Sequence, residues 1–204
     1  MDYEQIVNNL LTLHKKYSNV HRRTIALDKY TQVSIDTLRI EPESELVRES
    51  LLEHVGSLPM VATYLYPFLE HKSQIDLGKV LTMLAIHDIG ETVVGDSHPH
   101  QKTKESIENE HQRALELLSE EYHLLFEEFG HQETVDAKFA KSVDVFATFL
   151  SDQLLPSDFV TKRLMAYDFS SQLFVEKRLE IFAWDSTLKE LFEEIIQRYQ
   201  KMGL

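Results

Sequence analysis

The sequence predicts an all-α fold, a single-domain helical bundle, and three observations predict it. Turn residues are scarce: six glycines and five prolines stand in 204 residues, where the two together average about 12 % of a chain. A many-stranded β fold needs more tight turns than that. Apolar residues, 43 % of the chain, recur mostly three and four positions apart, the spacing of a helix with one buried face. No repeat, low-complexity tract or linker divides residues 1–204, so one domain is the economical reading.

The elements follow in order. Ile6, Leu10, Leu11 and Leu13 give a first helix near 3–18 its apolar face. A second helix is placed over about 22–38, and Glu41-Pro42-Glu43-Ser44 reads as a loop. A long apolar segment runs from about 46 to 70, interrupted by Gly56-Ser57-Leu58-Pro59. Proline removes a helical hydrogen bond and crowds the preceding turn. A kink is expected there, or two helices with Pro59 in the first turn of the second. Residues 78–93 form another helix, ending before Gly95, and 96–103 form a polar loop. Further helices span about 104–119, 121–129 and 134–153. Pro156-Ser157-Asp158 opens another helical segment. Leu188, Leu191, Phe192, Ile195, Ile196 and Tyr199 line one side of the last helix, about 186–202.

The composition excludes several classes of function. Lys and Arg number 21 against 34 Asp and Glu, a formal charge of −13. A dedicated nucleic-acid binder needs a basic face for phosphates, so none is expected. A small anionic substrate stays open, because one cation or arginine reverses the sign locally. The absence of cysteine removes disulfides, thiol nucleophiles and cysteine-held clusters. Val80 to Ile86, broken only by Thr82, is far short of the about 20 residues of a membrane span. The start, Met1-Asp2-Tyr3-Glu4, lacks the basic opening of a signal peptide. No membrane association and a cytoplasmic location are expected.

Candidate chemistry lies where polar residues fall in apolar surroundings. Ten histidines are present, of which His14, His21, His71 and His123 sit in polar settings and read as surface residues. His54 precedes an apolar run, His87-Asp88 ends the most apolar stretch, and Asp144 lies inside Phe139–Ala147. A buried unpaired carboxylate costs several kcal/mol, roughly, unless neutralised or paired. Ala140 and Ala147 flank Asp144 at helical spacing and leave room above it for a metal and a ligand. A Lys or Arg partner, or a place on a polar face, would also account for Asp144. Together His54, His87, Asp88 and Asp144 offer two imidazoles and two carboxylates, a mixed set suited to one divalent ion such as Mn, Co, Fe, Ni, Zn or Mg. Glu91 follows His87 by four positions and Asp88 by three, which share a helical face. It could orient a water or carry its proton, or simply end a helix. Asp96, after Gly95, is a turn aspartate or one that reaches back over the same pocket.

These residues carry a resemblance. His54, His87-Asp88 and Asp144 resemble the His…His-Asp…Asp pattern of the HD-domain superfamily of metal-dependent phosphohydrolases. Glu49-Ser50-Leu51-Leu52-Glu53-His54, and His87-Asp88-Ile89-Gly90-Glu91-Thr92-Val93-Val94-Gly95-Asp96, resemble two words of its 5′-deoxynucleotidase branch. Glu133 to Lys141, leading to Asp144, resembles the segment before that branch's last metal ligand. The likeness covers about 36–155, implying an HD core there with the terminal helices packed on it.

The resemblance implies that His54, His87, Asp88 and Asp144 hold one divalent metal, and that Glu91 and Asp96 are catalytic. Arg39 and Lys102 would bind substrate. Ile40 stands where the deoxynucleotidases carry an aromatic residue. The implied activity is a phosphomonoesterase removing phosphate from a nucleoside 5′-monophosphate or a similar small ester. Relatives also suggest a homodimer. Two alternatives accompany this reading. One is a binuclear HD enzyme, a phosphodiesterase or oxygenase, drawing on His98, His100, His111 or His131. The other is a nucleotide-sensing HD protein without turnover.

Overall fold

The computed structural model describes residues 3–28, 32–33, 40–41, 45–96, 102–153, 157–158, 160 and 172–201. Helix α1 runs over Tyr3–Asn19. Strand β1, His21–Asp28, then pairs antiparallel with β4, Glu45–Ser50, while the short β2, Gln32–Val33, pairs with β3, Ile40–Glu41. The helix expected over 22–38 is therefore corrected: 21–28 and 32–33 are strands. The partner of β1 lies about twenty residues downstream, and a local pattern cannot register such a non-local pairing.

Register along β1 and β4 runs from Asp28↔Glu45 to Ile25↔Arg48, then slips before His21↔Ser50. Irregularities of this kind twist a strand and re-aim a side chain. Arg22 lies in the slipped stretch. The hairpin closes on the helices through the Leu51 N–H, which donates to the Val20 carbonyl at 3.0 Å.

Helix α2, Leu51–Leu65, starts on a capping box: the Glu53 N–H donates to Ser50 Oγ and the Ser50 N–H to Glu53 Oε2. That reciprocal pair satisfies two donors the first turn would leave free. The helix passes unbroken through Pro59, so neither a split nor a fresh start occurs there. Burial of Leu58, Val61, Ala62 and Leu65 around the proline offsets its missing hydrogen bond.

Helix α3, Leu77–Ile86, is capped by Asp76 and stops at His87. A run of turns carries the chain to α4, Glu91–Val94. The single helix expected over 78–93 is thus two, joined at the residues with the most chemistry. Helix α5, Lys104–Leu117, α6, His123–His131, and α7, Val135–Gln153, follow. Then come α8, Gln172–Phe182, and α9, Ser186–Lys201.

Two hydrophobic clusters organise these helices. The larger joins Leu58 and Val61 of α2, Met83 and Leu84 of α3, Phe139 and Val143 of α7, Phe182 of α8 and Phe192 of α9. Phe182 and Phe192 stack with ring centroids 4.9 Å apart. The smaller joins Tyr17, Leu51, Ile89 and Ala114. His54 stands on α2 one turn from Leu51 of the smaller cluster and one turn from Leu58 of the larger.

Candidate metal centre

The ends of α2 and α3 and the middle of α7 meet where these clusters adjoin. His54 Nε2 lies 3.1 Å from Asp144 Oδ1 and 3.8 Å from Asp88 Oδ2. His87 Nε2 lies 3.2 Å from Asp88 Oδ2 and 3.6 Å from Asp144 Oδ1. The four side chains picked from the sequence are thus neighbours in space. One atom each of His54, His87 and Asp88 falls within 4.8 Å of the others, and Asp144 joins them through the contacts just given.

The donors fit a cation. His87 Nδ1 is 2.9 Å from the Leu84 carbonyl. A carbonyl only accepts, so Nδ1 carries the hydrogen. In the neutral ring Nε2 is then a lone pair aimed at two carboxylates, buried and without an aligned hydrogen bond. A proton or a metal ion between these groups relieves the repulsion. With the proton, burial opposes the charge, but Asp88 and Asp144 outweigh it and push the His87 pKa up to about 10. Burial likewise opposes charge on Asp88, and His87 and Arg22 overcome it, holding Asp88 well below the carboxylate range. Asp144 is also held low: burial works against it, but Lys141, His54 and His87 prevail. Two imidazoles and two carboxylates suit a borderline divalent ion.

Each of the four has an outer partner. Leu84 holds His87. Asp88 Oδ2 accepts from Arg22 Nη1 at 3.2 Å. Asp144 Oδ2 accepts from Lys141 Nζ at 2.8 Å. His54 Nδ1 faces Glu49 Oε2 at 3.6 Å, a buried oxygen with no hydrogen bond of its own. Orienting groups of this kind fix the tautomer and direction of metal-binding side chains.

Glu91 is buried beside the cluster. Burial, with the charges of Asp88 and Asp96, pushes its pKa up to about 8, although Lys102 and Arg22 pull the other way. Its Oε2 is buried and unpaired, and its Oε1 lies 3.4 Å from Lys102 Nζ. Lys102 makes its closer contact, 2.7 Å, with Glu110 Oε2. Glu91 and the His87-Asp88 pair sit on a turn and a new helix rather than on one helical face, so they share the pocket through the chain reversal at 87–90. Tyr17 closes this side, its hydroxyl kept neutral by burial and by Asp88 and Glu91.

Of the remaining sequence-predicted residues, Arg39 lies outside the described residues, as do His98 and His100. Asp96 is half-buried and near enough to raise the Glu91 pKa. His111 pairs with Glu127 at 2.8 Å, and His131 is exposed. Among the described residues, the one group of histidines and carboxylates spaced for a metal is His54, His87 and Asp88. His71 and His123, read as plain surface residues, are tied into the structure: His71 Nδ1 is 3.2 Å from buried Asp185, and His123 Nε2 faces the carbonyls of Leu115 and Leu118.

Sequence reasoning missed Arg22, Glu49 as a partner of His54, and Lys141. Arg22 was hidden by the helix placed over its strand. Burial opposes its charge, yet Asp88, Asp144, Glu91 and Glu49 hold its pKa above the ordinary value. The Ser50-x-x-Glu53 capping signal would have marked the strand-to-helix junction beside Glu49. Lys141 stands one helical turn before Asp144, the spacing of a helical ion pair.

Comparison with known proteins bears on this centre. The model of the HD domain family matches residues 38–181, more than half of the chain. The 5′-deoxynucleotidase HDDC2 of Xenopus laevis is 29 % identical over 105 residues, 47 % of this chain and 50 % of that protein. The chain thus spans about half the length of that curated relative. A solved structure of a predicted metal-dependent phosphohydrolase from Magnetospirillum magnetotacticum MS-1 superposes with a TM-score of 0.69 at 23 % identity, covering 97 % of this chain and 92 % of that one. The PH0347 protein of Pyrococcus horikoshii OT3 superposes with a TM-score of 0.62 at 18 % identity, covering 93 % and 97 %. These two share the fold. With its family model spanning the strand-to-helix junction, both histidines and both aspartates, the chain belongs to the HD domain family.

Proposed function

We propose that the chain is a metal-dependent phosphomonoesterase acting on a nucleoside 5′-monophosphate or a similar small phosphate ester. The observation that carries this reading is the convergence of His54, His87, Asp88 and Asp144 beside a buried carboxyl, Glu91. The 5′-deoxynucleotidase named above supports the substrate class.

His54, His87, Asp88 and Asp144 would hold one divalent ion. Bound there, the ion supplies a Lewis acid for a phosphoryl oxygen and acidifies a water. Glu91 serves as the proton carrier: it is buried beside the cluster with Oε2 unpaired, where a carboxyl can take and return a proton. Arg22 binds the phosphate: its guanidinium stands 3.2 Å from Asp88 at the centre, and a planar fork suits phosphate oxygens. Lys102 holds Glu91 in place and adds positive charge at the mouth, with Asp96 shaping the same rim. Arg39 remains a substrate contact by resemblance alone. A homodimer is expected by resemblance alone.

The experiment is phosphate release by chelator-stripped protein from a panel of nucleoside 5′-monophosphates and sugar phosphates. Each is run with Mn, Co, Mg or no metal, beside Glu91→Gln. Metal-dependent release that the variant loses is the expected result. Silence across the panel from protein shown to hold metal would overturn the phosphomonoesterase reading. Two ions per chain would then direct attention to diesters and oxygen chemistry.

A further inference from the structure

Asp144 presents its two oxygens to different surroundings. Oδ1 faces the imidazoles, 3.1 Å from His54 Nε2 and 3.6 Å from His87 Nε2. Oδ2 accepts a hydrogen bond from Lys141 Nζ at 2.8 Å. The ammonium is itself fixed from a second side, lying 5.6 Å from the centroid of Phe129. That same ring packs on His87 at 5.1 Å between centroids. Phe129 therefore sets the position of both a histidine of the cluster and the cation that restrains Asp144. Lys141 precedes Asp144 by one helical turn, so helix geometry rather than a mobile loop maintains the pair.

A carboxylate with both oxygens free can chelate a metal ion through two atoms. One whose second oxygen is engaged by an ammonium offers a single atom. We propose that Lys141 is a positioning residue that limits Asp144 to one ligating oxygen and so reserves coordination positions for water and a phosphoryl oxygen. This inference rests on the metal-centre reading and adds to it a control on coordination number. It also gives the ammonium a second effect. A positive charge 2.8 Å from the second oxygen of a ligand carboxylate opposes a divalent cation, so Lys141 lowers metal affinity while keeping the ion accessible.

The sign of that effect makes the test. Chelator-stripped wild-type chain, Lys141→Met and Lys141→Arg are titrated with Co(II), following heat and visible absorption, and then with inorganic phosphate. The expected result is that Lys141→Met binds Co(II) more tightly, about tenfold, from relief of like-charge repulsion at close range. Its visible bands weaken as the ion gains a ligand, and inorganic phosphate perturbs them less. Lys141→Arg, which keeps a donor and a charge, stays near wild type. Loss of a purely structural contact would weaken Co(II) binding instead. Weakened or unchanged binding by Lys141→Met, with normal binding by wild type, overturns this inference alone. Failure of the wild-type chain to bind Co(II) overturns the metal centre and this inference with it.

Discussion

Arg22 Nη1 donates to Asp88 Oδ2 at 3.2 Å across 66 residues of sequence, joining a strand to the turn that follows α3. The same oxygen faces both imidazoles, so the guanidinium stands directly at the centre. Under the proposed reading Arg22→Met lowers kcat/KM for a nucleoside monophosphate by about 10- to 100-fold, the worth of a charge-assisted contact. Steady-state kinetics with Mn checks this, and a variant within twofold of wild type would remove Arg22 from the phosphate.

Glu49 faces His54 Nδ1 with an oxygen that has no other partner. Glu49→Gln keeps the volume and removes the charge. Mn or Co affinity should fall about tenfold, the low end for the outer partner of a metal-binding histidine. Calorimetric titration of stripped protein reads this directly, and equal affinities would reduce Glu49 to a packing residue.

The buried carboxyl of Glu91 gives a pH signature in chelator-stripped protein. Its pKa is raised from 4.5 to about 8 in the fold. A raised group favours the folded state fully below its unfolded pKa and loses that contribution as pH rises through its folded pKa. Stability should therefore decline between about pH 5 and 8. His87, raised from 6.5 to about 10, extends the decline at higher pH by the same sign. Thermal melts across this range should show a shallower early decline for Glu91→Gln, and an identical slope would argue against the buried ionisation.

Gly90 supports the reversal that brings Glu91 to His87-Asp88. A Cβ at this position would lie 2.5 Å from the Glu110 carbonyl oxygen and 3.1 Å from Glu110 Cγ. Backbone must yield, and overpacking of this sort costs about 1–3 kcal/mol. Gly90→Ala should lower the urea midpoint accordingly. It should also disturb the Glu110–Lys102 pair, because α5 is the element displaced. A neutral result would mean that α5 shifts freely.

The helices and the centre differ in how far the sequence reveals them. His87-Asp88 closes an apolar run and Asp144 stands between alanines, so burial of a polar group was visible locally. His54 needed the distant pairs to give it meaning. The hairpin was not visible, because Leu27 pairs with Leu46, nineteen residues downstream, and nothing within 21–28 announces that partner. Arg22 was lost with it. The break at 87–90 escaped for a different reason: its turn is built from ordinary backbone hydrogen bonds, such as Glu91 N–H to the Asp88 carbonyl, over residues with good helical spacing. Lys141 stands one turn from Asp144 in the sequence, but its role depends on which Asp144 oxygen it meets.

The slip in register between His21 and Ile25 also bears on how this chain can change over evolutionary time. Side chains alternate faces along a strand, so one added residue exchanges every one beyond it. Length changes between Asp28 and Glu45 fall outside the β1–β4 pairing and leave Arg22 and Glu49 where they are. A single insertion between Arg22 and Asp28, or between Glu45 and Glu49, would turn one charge away from the centre. The β1–β4 pairing is thus intolerant of length change at its root, where Arg22 and Glu49 stand beside the residues that hold the chemistry.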